Sequence, residues 1–365
     1  MTTDAMTDRD RYHACMSYQP VDRAPFWDWG GWPETIERWR TEGYDPETSD
    51  PARIADSRIT PGNWFFPNPP FEHTIVEETD VDVVFINHEG ILMKERRDNP
   101  RSSMPQFLKF PVETRAEFRE FWAQRMIPDH AARIGPDWQT QLTQWRAQPV
   151  PLQIIADRWG GFFGPQRNLT GLERLCMLFY DDPAFIEEMM DANADFIIAM
   201  MGPILDVIDI DAFVFWEDMA FNHGPLLDPA LARQFMLPRY RRVTDFLYSR
   251  GVEWIGLDSD GQIDTLIPIW VDAGINALYP FEVQAGMDVL QVRRQFGKSL
   301  RLWGGVDKRA LIQGPDAIDT ELNRLRPLIE EGGYVPHLDH GCPPDIAFSN
   351  YCYFLQRLHD VCAGK

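Results

Sequence analysis

The run Phe196-Ile-Ile-Ala-Met-Met-Gly-Pro-Ile-Leu-Asp206-Val-Ile-Asp209-Ile-Asp211-Ala-Phe-Val-Phe-Trp216, followed by Glu217-Asp218, separates two architectures. It is the most apolar stretch of the chain. A membrane span needs about 20 residues with few or no charges, and Asp206, Asp209 and Asp211 interrupt this one. The run therefore reads as a helix, a turn, and a buried strand over 212–216 that delivers two carboxylates at its end.

The same alternation recurs along the chain. Short apolar runs at 24–29, 81–86, 150–156, 212–216, 252–257, 275–279, 300–303 and 334–338 are eight predicted strands. Amphipathic stretches lie between them. Asp182-Pro183 and Asp228-Pro229 place a capping carboxylate before a first-turn proline. Segments 288–296 and 315–331 also read as helices, with Gly297 and Gly332 at their stops. Strands alternating with helices favour parallel βαβ units. Eight such units in 365 residues predict a distorted (β/α)8 TIM-type barrel forming one domain over 1–365. No Gly-x-Gly-x-x-Gly follows the first strand, which counts against a dinucleotide fold. Residues 30–75, rich in Trp, Pro and Phe, and 88–145, charged with three further tryptophans, read as insertions covering one mouth. They lie on the N-terminal side and between the second and third predicted strands.

Apolar residues make up 44% and charged residues 25%, as in ordinary globular proteins. Thirty-five basic against 56 acidic residues give a net charge of −21, which repels nucleic acid and anionic membranes. Five cysteines without a Cys-x-x-Cys pair, and an acidic start with no apolar core, predict a cytoplasmic protein without a signal peptide.

Function in such barrels gathers at the carboxyl ends of the strands. There the sequence places Asp28, Asn87-His88-Glu89, Asp157-Arg158, Glu217-Asp218, Asp258-Ser-Asp260, Glu282, Asp307-Lys308 and Asp339-His340. Alternate residues of a strand share a face, so Asp258 and Asp260 can address one ion. With Glu217 and His340 they make a candidate oxygen-plus-imidazole site for zinc or another divalent metal. The same carboxylates read equally well as substrate-binding or helix-capping groups. His340 is the titrating group of the last segment and, with Asp260 and Glu217, a candidate catalytic residue. Trp27, Trp29, Asn87, His223, Glu282 and Asp307 are candidate substrate contacts, although single tryptophans are more often packing and His223 equally suits a solvated loop. Cys342, beside Pro343-Pro344, reads as packed, and His337 as structural.

Several segments carry a resemblance. They are Arg11-Tyr-His-Ala-Cys-Met-Ser-Tyr-Gln-Pro-Val-Asp22-Arg23-Ala-Pro25, Gly171-Leu-Glu173 with Tyr180-Asp-Asp-Pro183, Leu227-Asp-Pro229 with Phe235-Met-Leu-Pro238-Arg-Tyr240, and His340-Gly-Cys-Pro-Pro344-Asp with Asn350. Together they resemble the uroporphyrinogen decarboxylase superfamily, and its methyltransferase-like members in particular. The resemblance implies a (β/α)8 barrel. For a decarboxylase it implies basic residues after the first strand, yet the loop Phe26-Trp-Asp-Trp-Gly-Gly-Trp-Pro33 has no arginine. For a corrinoid-linked methyltransferase it implies a zinc site at the positions of Asp258, Asp260 and His340, with oxygen ligands replacing the thiolates.

The expected function is thus the substrate-side component of a corrinoid-dependent demethylase. It would act on a methyl ether or other methylated small molecule, with a metal as Lewis acid. Cobalamin would be supplied by a partner corrinoid protein, because no Asp-x-His-x-x-Gly is present. A homodimer is a further expectation. The alternatives are a decarboxylase or lyase of a small carboxylic acid using Arg158, Asp307 and Lys308, and a non-catalytic binding barrel.

Overall fold

The computed structural model describes residues 5–98 and 104–365. Six parallel strands stand side by side in chain order: Gln153–Ile155, Ala212–Trp216, Trp254–Asp258, Ala277–Tyr279, Arg301–Trp303 and Tyr334–Val335. Each falls within or overlaps a predicted run. Two irregular segments continue the ring. Trp27 donates its N–H to Pro336 O, Asp56 donates to Phe26 O, and Ile59 exchanges bonds with Pro151 and Gln153. The hydrogen bonds therefore pass round eight rungs, with residues 24–29 as the first and 56–59 as the second.

The second rung corrects the sequence expectation. The run 81–86 does form a strand, Asp82–Ile86, but outside the ring. It pairs antiparallel with Thr74–Glu78 and Leu92–Arg96, and a fourth strand, Gln106–Lys109, completes that sheet. The inserted sheet and the helices Arg115–Arg125, His130–Arg133 and Trp138–Arg146 all lie between the second and third rungs. A half-buried antiparallel strand and a barrel strand share the same alternating pattern, so periodicity alone does not tell them apart. The true second rung, Asp56-Ser-Arg58-Ile59, carries one aliphatic residue because its inward position is a charged one.

The helices follow the local signals. Asp182, Asp228 and Asp288 accept backbone N–H groups at helix starts, as their positions before the helical runs predict. The interior of the ring is filled by Trp27, Ala212, Val214, Trp254, Ala277, Trp303 and Val335, with Ile155 and Tyr279 partly buried among them. Small and large residues alternate there. A Cβ at Gly256 would lie 3.0 Å from Trp303, so the missing side chain makes room for the indole. Tyr12 and Met16, from the helix Asp8–Met16, close the floor of the barrel. No helix is long and apolar enough to cross a membrane among the described residues.

Candidate active site

The mouth of the ring is built by loops that leave the carboxyl ends of the rungs. Glu217 follows the strand Ala212–Trp216 and is fully buried. It accepts N–H bonds from Phe162 (2.5 Å), Phe163 (2.6 Å) and Gly164 (3.1 Å), and the Tyr240 hydroxyl donates to it as well. Burial pushes its pKa up. Each carboxylate oxygen nevertheless meets two donors, and three of the four are backbone N–H groups that can only donate, which favours the ionised form. We therefore assign Glu217 as ionised. It fastens the loop after the third rung and the start of the helix Gly164–Thr170 to the fourth rung. Gly161 makes this possible, because a Cβ there would stand 2.0 Å from Trp216 O and 2.8 Å from the Glu217 carboxyl.

The neighbouring rung ends differently. Asp258 points inward at the height of Trp216 and Tyr279. Burial, then the charges of Asp260 and Asp218, hold its pKa well above the carboxylate range, against a hydrogen bond from Tyr279. Asp260 lies past the strand end with 37% of its side chain exposed and 3.7 Å from His340 Nε2. Burial, then Asp218 and Glu282, push it up to about 7. Burial lowers the His340 pKa, so the imidazole is neutral at neutral pH. Trp29 stacks on His340 at 5.9 Å and 10°. Asp218, at positive φ (46°), has its carbonyl and carboxylate held by Arg167. Such strain in a non-glycine residue clusters at functional sites.

Lys308 supplies the positive charge of the mouth. Its Nζ lies 3.5 Å from Asp339 and 3.9 Å from Glu282. Asp339 is wholly buried, accepts N–H bonds from Val283 and Lys308, and is pushed up to about 6 by burial. On the Asp218 side a mainly apolar cleft of about 510 Å³ runs between the inserted sheet and the fourth rung. Ile91, Met93, Phe107 and Phe110 form one side, and Arg158, Trp216 and Asp218 the other. That size suits a small organic ligand.

The remaining predicted contacts are placed as follows. Trp29 and Glu282 belong to the mouth. Trp27 lies inside the ring, stacked on Tyr12 and His337. Asn87 sits in the turn of the inserted sheet, where its Oδ1 accepts from Glu89 and Ile91 N–H groups. Asp307 caps the helix Lys308–Gln313 and pairs with Arg309. His223 is exposed at the tip of the small hairpin of Ala220–Phe221 and Gly224–Pro225.

The family described as uroporphyrinogen decarboxylase (URO-D) matches residues 167–361, from the helix after the third rung through most of the last helix. The chain belongs to the uroporphyrinogen decarboxylase family. The curated uroporphyrinogen decarboxylase of Rhodococcus erythropolis is 28% identical over 252 residues, 65% of this chain and 66% of its own length. That of Pseudomonas fluorescens is 26% identical over 193 residues, 51% of each chain. This chain thus spans about half to two thirds of the curated relatives it matches. Among solved structures, a methyltransferase from Methanosarcina mazei aligns over 97% of this chain and 98% of its own, with a TM-score of 0.61 and 16% identity. That likeness establishes the shared fold.

Within this family fold, the metal set expected from the sequence does not fit as placed. Glu217 has both oxygens occupied by donors. Burial and the neighbouring acids push the Asp258 pKa up, and its carboxyl takes a hydrogen bond from Tyr279. Among the described residues no three His, Cys, Asp or Glu side chains stand close enough to hold a metal ion. What the mouth brings together instead is a carboxyl that titrates at about 7, a neutral imidazole and an ammonium: Asp260, His340 and Lys308. Sequence reasoning placed Asp218 at a strand end without giving it a role, and missed Tyr279. Their signals were a second acid after the fourth rung and a tyrosine ending the sixth.

Proposed function

We propose that the chain is a methyltransferase-like enzyme of the uroporphyrinogen decarboxylase family, in which Asp260 donates the proton that the leaving group needs. The supporting observation is the pairing of Asp260, pushed up to about 7, with a neutral His340 3.7 Å away at the mouth of the ring. A carboxyl with its pKa near the working pH is both protonated often enough and acidic enough to act as a general acid. For a methyl ether, the methyl–oxygen bond breaks with its electron pair staying on oxygen, and Asp260 protonates that oxygen. Asp260 regains its proton from solvent, to which 37% of its side chain is open. Trp29 and the cleft beside Trp216 wall in the apolar body of the substrate. The methyl acceptor is a reduced corrinoid, carried by a separate protein.

A second reading has its own support. Lys308 puts a cation beside the acid, and the curated relatives are decarboxylases by name. In a decarboxylation the carbon–carboxylate bond breaks, the electron pair stays on carbon, and Asp260 delivers the proton to that carbon. One experiment tests both. Purified protein is incubated with methoxylated aromatics and a reduced corrinoid protein, and separately with small carboxylic acids. Methyl transfer that is abolished in Asp260→Asn supports the first reading. Release of carbon dioxide without any methyl transfer overturns it in favour of the second.

A further inference from the structure

Below the mouth, inside the ring, lies a small space of about 20 Å³, whose wall includes Trp27, Trp29, Arg58, Gln153, Tyr279 and His337. Its polar groups are unusual for a barrel interior. Arg58 enters from the second rung and lays its guanidinium 4.0 Å from the centre of the Trp27 ring. Burial lowers its pKa, and the groups that oppose this, Tyr279, Tyr12 and Asp28, act only through space. It has no hydrogen bond or ion pair to an acid among the described residues. A largely buried cation that touches no acid is costly, and the distant Asp28 and a cation–π contact offset only part of that cost. Two further donors face the same space without an acceptor in hydrogen-bond geometry: Trp27 Nε1 and Gln153 Nε2. Both residues are almost wholly buried, at 3% and 1% exposed. Gln153 has only the Tyr12 hydroxyl alongside.

A fixed cation and two orphaned N–H donors around one small space describe a complement to negatively charged oxygen. No acid lines it among the described residues. We infer that this space binds the carboxylate head of the substrate, with Arg58 as its counter-charge and Trp27 Nε1 and Gln153 Nε2 as its hydrogen-bond donors. Trp29 fixes the direction of the rest of the molecule. It lines the space and also stacks on His340, so a ligand whose head lies at Arg58 leads past Trp29 to Asp260. The head site stands on its own geometry, and only this direction rests on the mouth being the reactive centre. The substrate class that follows is a monocarboxylate with an aromatic or otherwise flat apolar body.

The test is binding, read without turnover. Benzoate and its neutral counterpart benzamide are titrated into the full chain by calorimetry, with thermal melting in parallel. The wild-type protein is expected to bind benzoate and to melt higher in its presence, and to ignore benzamide. Arg58→Gln should weaken benzoate roughly 10- to 100-fold, and Gln153→Leu less, as expected for losing a charged and a neutral donor. Both variants should fold without ligand, and Arg58→Gln should melt no lower than wild type because it removes an unpaired buried charge. Equal binding of benzoate and benzamide, equal benzoate binding by wild type and Arg58→Gln, or no benzoate binding at all would overturn the inference. If Arg58→Gln fails to fold, Gln153→Leu with undiminished affinity does so. Methyl transfer or decarboxylation could fail for every substrate tried and leave these binding results intact.

Discussion

The fourth and fifth rungs run parallel, pair with each other, and each ends in an acidic residue, yet their carboxylates are opposites. Glu217 is sealed, with four donors on its two oxygens. Asp260 is open to the mouth, faces other acids and an imidazole at 3.7 Å, and keeps its proton up to about pH 7. The difference lies in the neighbours. A carboxylate given enough N–H and O–H partners becomes a structural tie that does not titrate in use. One crowded by like charges in a half-closed cleft becomes an acid. Position at the end of a barrel strand is therefore insufficient to identify a catalytic group, and the donors around it decide.

Substitutions can break this comparison. Asp260→Asn should lower the turnover rate by roughly 10²- to 10⁴-fold, the usual loss with a general acid, and leave melting unchanged. An active Asp260→Asn protein, assayed by methyl transfer or carbon dioxide release, would remove Asp260 from the chemistry. Glu217→Gln should do the reverse through stability. Its amide turns a donor toward N–H groups already in place, at a cost on the order of 3 kcal/mol, seen as a lower urea midpoint. A variant as stable as the wild type would show that the four bonds are not a tie.

Two smaller effects sharpen the contrast. If protonated Asp260 is the acid, turnover is level below about pH 7 and falls roughly tenfold per pH unit above it. A rate that rises through that range would make Asp260 a base. Tyr240→Phe removes one of the four donors from Glu217 and should cost about 1 kcal/mol in urea unfolding, with no change in the pH profile of turnover.

Much of this was legible in the chain. Seven of the eight rungs carry apolar runs, and Asp182-Pro183, Asp228-Pro229 and Asp288 announce their helices through side-chain caps. The acids after the fourth and fifth rungs were visible as residues at strand ends. Their separate uses were not, because those depend on Phe162, Phe163, Gly164 and Tyr240, which the fold brings in from up to 55 positions away. The second rung escaped because its inward residue is Arg58, a charge where the pattern looks for an aliphatic. Asp82–Ile86 took its place in the reading because an inserted sheet obeys the same period of two. The feature that hid the rung from its pattern is the one that marks it as a binding element.

The way the ring closes has a consequence for how the protein is made. Ala24 donates its N–H to Cys362 O, Gly333 donates to Cys15 O, and Trp27 to Pro336 O, so the first rung has its partners at the far end of the chain. During synthesis residues 24–27 wait for these partners until the segment from 333 to 362 has left the ribosome. The floor helix waits with them. Closure is then a late event that joins residues 15–27 to residues 333–362.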